Sequence, residues 1–439
     1  MRTPRLIGAA LSAGLVLASV SACGDDKKSE DKSPATTVDL KGVTLEVGGS
    51  WQAGGGEQTN FQKVLDDFQA KTGATVKFTS SGDKLVTVLA SKIQGGSQPD
   101  VAMMPNKGAL DDFAKKGWLK PLSADVKAEA TKNFAPIWNT LGSTDGNQYG
   151  VYFKAANKST VWYRPQAFED AGVQPPKTWA ELITASGTLA DSGVAPFSVA
   201  GATGWTLTDW FENIYLSQAG PENYDKLAKH EIPWTDASVK QALTTLGQLW
   251  GKKEYLNGGQ TGALQTDFPT SVVNTFKAKK AAMVYEGDFV AGVIASDAGA
   301  KVGTDAKFFP FPAVGQNAPV VSGGDAAVIL KDSKGAQELV KYLASPAAVE
   351  IWTKLGGITS PNKNVDLKTY PDDIQRSIAQ SVVDAGDNVR FDMSDLAPAS
   401  FGGTDGAGEW KLLQDFLKNP ADVDGISAKL EAAAAKAYK

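Results

Sequence analysis

The chain has 439 residues and a formal net charge of −5, with one cysteine and one histidine. That scarcity excludes intrachain disulfides, HExxH sites and Cys₄ or Cys₂His₂ zinc sites, each of which needs several such ligands. The 42% hydrophobic content can fill large cores, the length suggests two or three domains, and the acidic balance is a poor match for nucleic acid.

Residues 1–22 read as an export signal. Arg2 and Arg5 make a positive start, and Leu6 to Val20 is apolar but too short to favour spanning a bilayer. Val20-Ser21-Ala22-Cys23 resembles the bacterial lipobox, in which the signal is cut before the cysteine and the thiol takes a diacylglycerol. An ordinary signal peptide cleaved beside a cysteine is the alternative. Residues 23–38 are polar, charged and without apolar periodicity, which makes them a disordered tether reaching about 20 Å as a coil. Loss of Arg2 and Arg5 with the signal leaves the mature chain two charges more negative than −5.

The spacing beyond the tether predicts a β-α-β-α-β run. Val43, Leu45 and Val47 alternate as in a strand, and Phe61, Val64, Leu65 and Phe68 share one helix face with Gly73 closing it. Ala74 to Phe78 is a second strand, Leu85 to Ile93 a second helix stopped by Gly95-Gly96, and Val101 to Met104 a short buried strand before a helix with Leu110 and Phe113. The pattern is α/β, a parallel sheet covered by helices, in which ligands sit at the carboxyl ends of strands. The loops there are Gly48 to Gly56, Thr79 to Asp83 and Pro105 to Gly108.

Further marks follow in order: Phe61-x-x-Val64-x-x-Asp67-Phe68-x-x-x-Thr72-Gly73, Gln98-Pro99-Asp100-Val101, Gly117-Trp118-Leu119-x-Pro121-Leu122, Tyr149-Gly150-Val151, Val161-Trp162-Tyr163-Arg164, Ala171-Gly172, Pro176-Lys177-Thr178-Trp179-Ala180-Glu181-Leu182, Ala282-Met283-Val284 with Gly287-Asp288-Phe289, and Ser345-Pro346 before Trp352. Over nearly the whole mature length these resemble the extracytoplasmic solute-binding proteins of carbohydrate ABC importers, the group that includes maltodextrin-binding proteins.

The resemblance implies two α/β lobes joined by hinge strands, with a ligand cleft between them. Crossings are expected near Tyr149 to Asn157, Phe308 to Ala313 and Gly356 to Asn362. The N-lobe would be 39–152 plus 313–355 and the C-lobe 153–312 plus 356–439. The implied partners are an oligosaccharide, possible α-glucosides among them, two permease subunits with an ATPase, and the membrane through a lipid on Cys23. The protein would be a monomer on the outer face of the cell membrane, with no cofactor, no metal and no nucleic acid.

A pyranose presents C–H faces to aromatic rings and hydroxyls to polar groups, so aromatics and acids in loops are the candidates. Ser50 and Trp51 follow the first strand, and Trp51 either stacks on the ligand or packs its loop. Ser81 and Asp83 follow the second, where Asp83 contacts ligand, caps the next helix, or does both. Asn106 contacts ligand or forms a turn. By resemblance, Lys154 occupies a hinge position where relatives place a charged residue reaching the sugar; a solvated lysine is the alternative. Relatives also place aromatic contacts near Trp205 and Trp210, with a core role open for Trp210. Glu286, Asp288 and Phe289 follow, with Asp288 a possible helix cap and Phe289 at a position where relatives stack an aromatic on sugar. Gly323, Gly324 and Asp325 suggest close ligand approach or a plain bulge. Arg390 forks onto hydroxyls or pairs with Asp392 or Asp395. Trp352 and Trp410 fall on apolar helical faces and read as core.

No GxSxG, GxxxxGK[ST] or GxGxxG occurs, so this is not the ATP-hydrolysing subunit. The function expected is therefore a non-enzymatic receptor. An anchored glycoside hydrolase or a carbohydrate-binding adhesin stands as the alternative.

Overall fold

Alternating Leu45 and Val47 form the buried side of strand β1 (Thr44–Gly49), and the helix Gly56–Thr72 buries Phe61, Val64, Leu65 and Phe68 against it. Gly73 ends that helix in the left-handed region at φ 76°, and its amide donates to Gln69 O at 2.8 Å. Strands β2 (Thr75–Ser80) and β3 (Val101–Met104) flank β1 in parallel, as the spacing predicts. These coordinates are a computed structural model that describes residues 38–439 except 316–317 and 386–388. The signal, Cys23 and the tether up to residue 37 therefore lie outside the described residues. Among the described residues no helix is long and apolar enough to cross a membrane.

A short hairpin, β4 (Ser143–Thr144) and β5 (Asn147–Gln148), leads into β6 (Gly150–Asn157). Strands β7 (Thr160–Tyr163), β8 (Ala195–Phe197), β9 (Ala281–Glu286) and β10 (Lys307–Pro310) make a four-stranded sheet in the order β10-β7-β9-β8. Strand β11 (Val321–Ile329) then returns to the first sheet, antiparallel to both β3 and β6, and β12 (Arg390–Phe391) adds beside its start. Two sheets thus carry two separate large cores, one around Phe61 and Trp352, the other around Trp210 and Leu246. Each is an α/β lobe. Truncating a fully buried Phe61 to alanine would cost about 3–5 kcal/mol.

Chain passes from one sheet to the other at Lys158-Ser159, between β6 and β7. Ser159 ties two crossings together: its carbonyl accepts from the Phe311 amide at 2.8 Å and its hydroxyl oxygen from the Val321 amide at 2.8 Å. A third crossing is tied to β6 where Ala155 N donates to Thr359 O at 2.9 Å. The first sheet continues to Asn157, past the 152/153 edge expected from the sequence. The segment 390–391 joins the first sheet, although the residues after it, from Met393 to Ala434, pack in the second core.

Candidate ligand-binding cleft

Between the lobes lies a cavity of about 530 Å³, within the range of small-molecule sites. Strand period brings three of its residues together. Lys154, Ala156 and Lys158 fall on one side at intervals of two and all line it. The register slips between Asp325 and Ala326, giving β6 one extra residue, Phe153, and setting Lys154 opposite Asp325.

Lys154 Nζ lies 2.8 Å from Asp325 Oδ2 and 2.9 Å from Glu57 Oε1. Glu57 comes from the first turn of the helix Gly56–Thr72, after the glycine-rich loop that brings the backbone round. Burial alone would lower the Lys154 pKa, but the two carboxylates outweigh it and raise it, so the ammonium is permanent. Burial raises the Glu57 pKa despite Lys154. The same ammonium sits 5.7 Å from the Trp51 ring centre and 5.5 Å from that of Phe289.

Lys158 makes a second, deeper network. Its Nζ is 3.2 Å from Asp209 Oδ1 and 3.8 Å from Asp395 Oδ2, bonds Asp392, and lies 5.6 Å from the Trp205 ring centre. Burial again opposes the charge, and the acids around it hold its pKa well above the ordinary range. Burial pushes Glu286 up to about 8, with Lys158 opposing, while Asp392 is held below its ordinary range against burial by the Lys158 charge and its hydrogen bonds. Asp209, Glu212 and Asp392 are the one group of described residues spaced to hold a metal ion. Their oxygens already meet Lys158, the Tyr224 hydroxyl (2.5 Å to Glu212) and the amides of Met393 (2.7 Å) and Ser394 (2.9 Å). The ammonium fills the role of the cation there.

Of the residues expected from the sequence, Ser50, Trp51, Asp83, Asn106, Lys154, Trp205, Phe289, Gly324 and Asp325 line the cavity. Trp51 edges the cavity and also packs its loop, wedged against Phe61 (4.8 Å), Trp352 (5.1 Å) and Phe78 (6.0 Å). Trp205 opens its helix after Gly204, which takes a φ of 98° and, lacking a β-carbon, lets the chain approach the Trp410 backbone closely. Neither Thr206 nor Thr208 caps that helix; each hydroxyl donates to a carbonyl, of Ala200 and Trp205. Asp83 sits in a 3₁₀ turn and caps no helix; the side chains of Thr203 and Trp205 approach it closely enough to favour its charged form. Asn106 does cap its helix, accepting from Ala109 N at 2.7 Å, and its amide also faces Ser394 O at 3.4 Å.

The other candidates are not brought to the cavity. Ser81 lines a separate small hollow with Thr79 and Leu89. Trp210 is 2% exposed, its ring between Phe197, Tyr285 and Phe311, so the core reading holds there. Glu286 is fully buried behind Lys158. Asp288 turns to the Thr359 hydroxyl at the third crossing and caps no helix. Gly323 packs on the Lys158 side chain, where a β-carbon would lie 2.8 Å from Cε. Arg390 pairs with Asp225 at 2.7 Å, rather than with Asp392 or Asp395.

Sequence reasoning missed Glu57, Lys158, Asp267, Phe268, Asp395 and Trp410, all of which line the cavity. Lys158 had a signal, the period of two from Lys154. Trp410 had none, since its helix face is apolar and Trp352 on a similar face is core, as expected. Trp205 meets Phe268 at 5.6 Å and Phe289 at 6.2 Å, giving an aromatic wall opposite Trp51.

A family model for bacterial extracellular solute-binding proteins matches residues 54–350. The chain is 34% identical over 373 residues to the osmoprotective compounds-binding protein GgtB of Synechocystis, covering 83% of this chain and 86% of that one. It is 34% identical over 404 residues to the alpha-glucosides-binding periplasmic protein AglE of Rhizobium meliloti, covering 88% and 86%. The solved structure of the solute receptor AcbH matches at a TM-score of 0.79 and 21% identity, over 90% of this chain and 100% of that one. RafE in complex with raffinose matches at 0.73 and 16%, over 90% and 100%. At those identities the two structures share the fold. By the family match and the two relatives, this chain belongs to the bacterial extracellular solute-binding protein family.

Proposed function

We propose that this chain is the receptor of a sugar ABC importer, capturing an oligosaccharide of the α-glucoside class between its lobes and handing it to the membrane permease. The observation that carries the reading is the pairing of aromatic faces with fixed polar groups around one cavity. Trp51 stands on one side and Trp205, Phe268 and Phe289 on the other, with the Lys154–Asp325–Glu57 network between them. Aromatic planes suit pyranose C–H faces and the charged network suits hydroxyls. The relative named for alpha-glucosides supports the same class.

The ligand residues proposed are Ser50, Trp51, Asp83, Asn106, Lys154, Trp205, Phe289, Gly324 and Asp325, joined by Glu57, Lys158 and Trp410. The lobes follow the outline 39–152 plus 313–355 and 153–312 plus 356–439, with the first edge moved to 157/158 on sheet membership. Contacts from both lobes favour closure over the ligand, and the closed form docks on two permease subunits whose ATPase drives release. Cys23 carries the lipid that holds a monomer at the outer face of the membrane.

A thermal-shift screen of the purified protein against neutral disaccharides and trisaccharides tests the reading, because a ligand of the native state raises the melting temperature. One or more sugars should bind stoichiometrically and be recovered intact. Catalytic cleavage of the bound sugar would turn the assignment to a glycoside hydrolase, and uptake that persists without the protein would turn it to an adhesin.

A further inference from the structure

We infer that the cleft selects its ligand by charge, taking a saccharide that is neutral or carries an amine and rejecting one that carries a carboxylate or a phosphate. This rests on the saccharide reading above and narrows it. Six carboxyl side chains line the cavity, from Glu57, Asp83, Asp267, Asp297, Asp325 and Asp395, against two ammonium groups, Lys154 and Lys158, and no arginine.

Both ammonium groups are already engaged. Lys154 lies within 2.9 Å of two carboxylates. Lys158 bonds Asp209 and Asp392, with Asp395 at 3.8 Å. An anionic ligand could pair with either lysine only by displacing a carboxylate that the fold holds in place. The displaced group would stay beside the newcomer, in a site where burial strengthens their repulsion.

The remaining acids face the cavity without a cation. The carboxylates of Asp83, Asp267 and Asp297 make no ion pair with any described residue; the Lys277 ammonium reaches only the Asp297 backbone carbonyl, at 3.4 Å. The polar groups of Thr203 and Trp205 lie near Asp83, the Thr270 amide donates to Asp267 at 2.8 Å, and the Ser296 hydroxyl donates to Asp297 at 2.5 Å. Asp83 opens to the cavity but has protein around it; burial, then the charges of Asp405 and Asp267, raise its pKa despite the polar groups of Thr203 and Trp205. A position that already resists its own negative charge resists a second one and favours a positive one.

The test offers the purified protein maltose, trehalose and sucrose, each also as a C6 uronate, a 6-phosphate and a 6-amino-6-deoxy sugar, and measures affinity by calorimetry. The uronate and phosphate should bind on the order of a hundredfold more weakly than the neutral parent, and the amine within about tenfold of it. In the double variant Asp83→Asn, Asp267→Asn the parent-to-uronate affinity ratio should fall about tenfold. A uronate or phosphate that binds as tightly as its parent would overturn charge selection and leave the saccharide reading standing. An amine rejected as strongly as the uronate would show that size, not charge, decides. Failure of every neutral and charged saccharide to bind would remove both readings.

Discussion

Gly108 lies flat against the backbone of Ala397: a β-carbon on Gly108 would sit 1.7 Å from the Ala397 carbonyl oxygen. Gly108 belongs to the helix that follows β3, and Ala397 to a segment buried in the second core. A second glycine contact occurs at Gly56, where a β-carbon would lie 2.6 Å from Ser296 Oγ. The lobes therefore meet at glycines on two separate N-lobe helices. The seat at Ala397 is backbone and cannot swing aside, whereas a serine hydroxyl can.

Gly108→Ala should consequently keep the lobes from meeting as they do here. We expect a loss of about 1–3 kcal/mol in stability and in saccharide affinity, with a larger radius of gyration in the sugar-saturated protein by small-angle scattering. A variant with wild-type affinity and scattering would show that the seat gives way without cost.

Lys158→Met should be among the most damaging single changes in the protein. It leaves Asp209, Asp392 and Asp395 buried with no counter-charge, and removing one member of a buried ionic network costs about 3–5 kcal/mol. Urea denaturation measures this directly. A shift below about 1 kcal/mol would mean that the acids neutralise one another by sharing protons.

Asp288 predicts a pH slope of definite sign. Burial pushes its carboxyl up to about 7, outweighing the Thr359 hydroxyl, whereas an unfolded aspartate titrates near 4. The native state thus holds the extra proton between those values. Its contribution to stability is full below about pH 4 and is lost as pH rises toward 7. Asp288→Asn, which mimics the protonated form, should remove that slope and gain on the order of 1–4 kcal/mol over wild type at pH 8. Denaturation curves at pH 5 and pH 8 that move in parallel for the two proteins would contradict this.

Trp205→Ala and Trp210→Ala should part company although they lie on one helix. Trp205 faces the cavity, half-buried, so its loss should weaken sugar binding by about 1–3 kcal/mol, with Trp205→Phe recovering part of it. Trp210 sits in the core, so its loss should lower stability by about 3–5 kcal/mol. Calorimetry and thermal denaturation of both variants separate the two effects.

The chain itself determined the local elements. Period-two and period-3.6 apolar spacing, with Gly73 and Gly95 as stops, is enough to place β1 to β3 and their helices, because each element must bury one face whatever it later packs against. Residues on the loops after those strands, such as Trp51, Asp83 and Asn106, were legible as cavity candidates for the same reason.

Tertiary structure alone decided which side chains meet. Glu57, Lys154 and Asp325 come from three distant segments, and the ion pair between the last two spans 171 positions. No local pattern encodes that junction, nor does one separate Trp410 at the cavity from Trp210 and Trp352 in the cores, since all three lie on helices. Whether an aromatic faces a ligand depends on whether another lobe covers it, and that is set by how the two lobes meet.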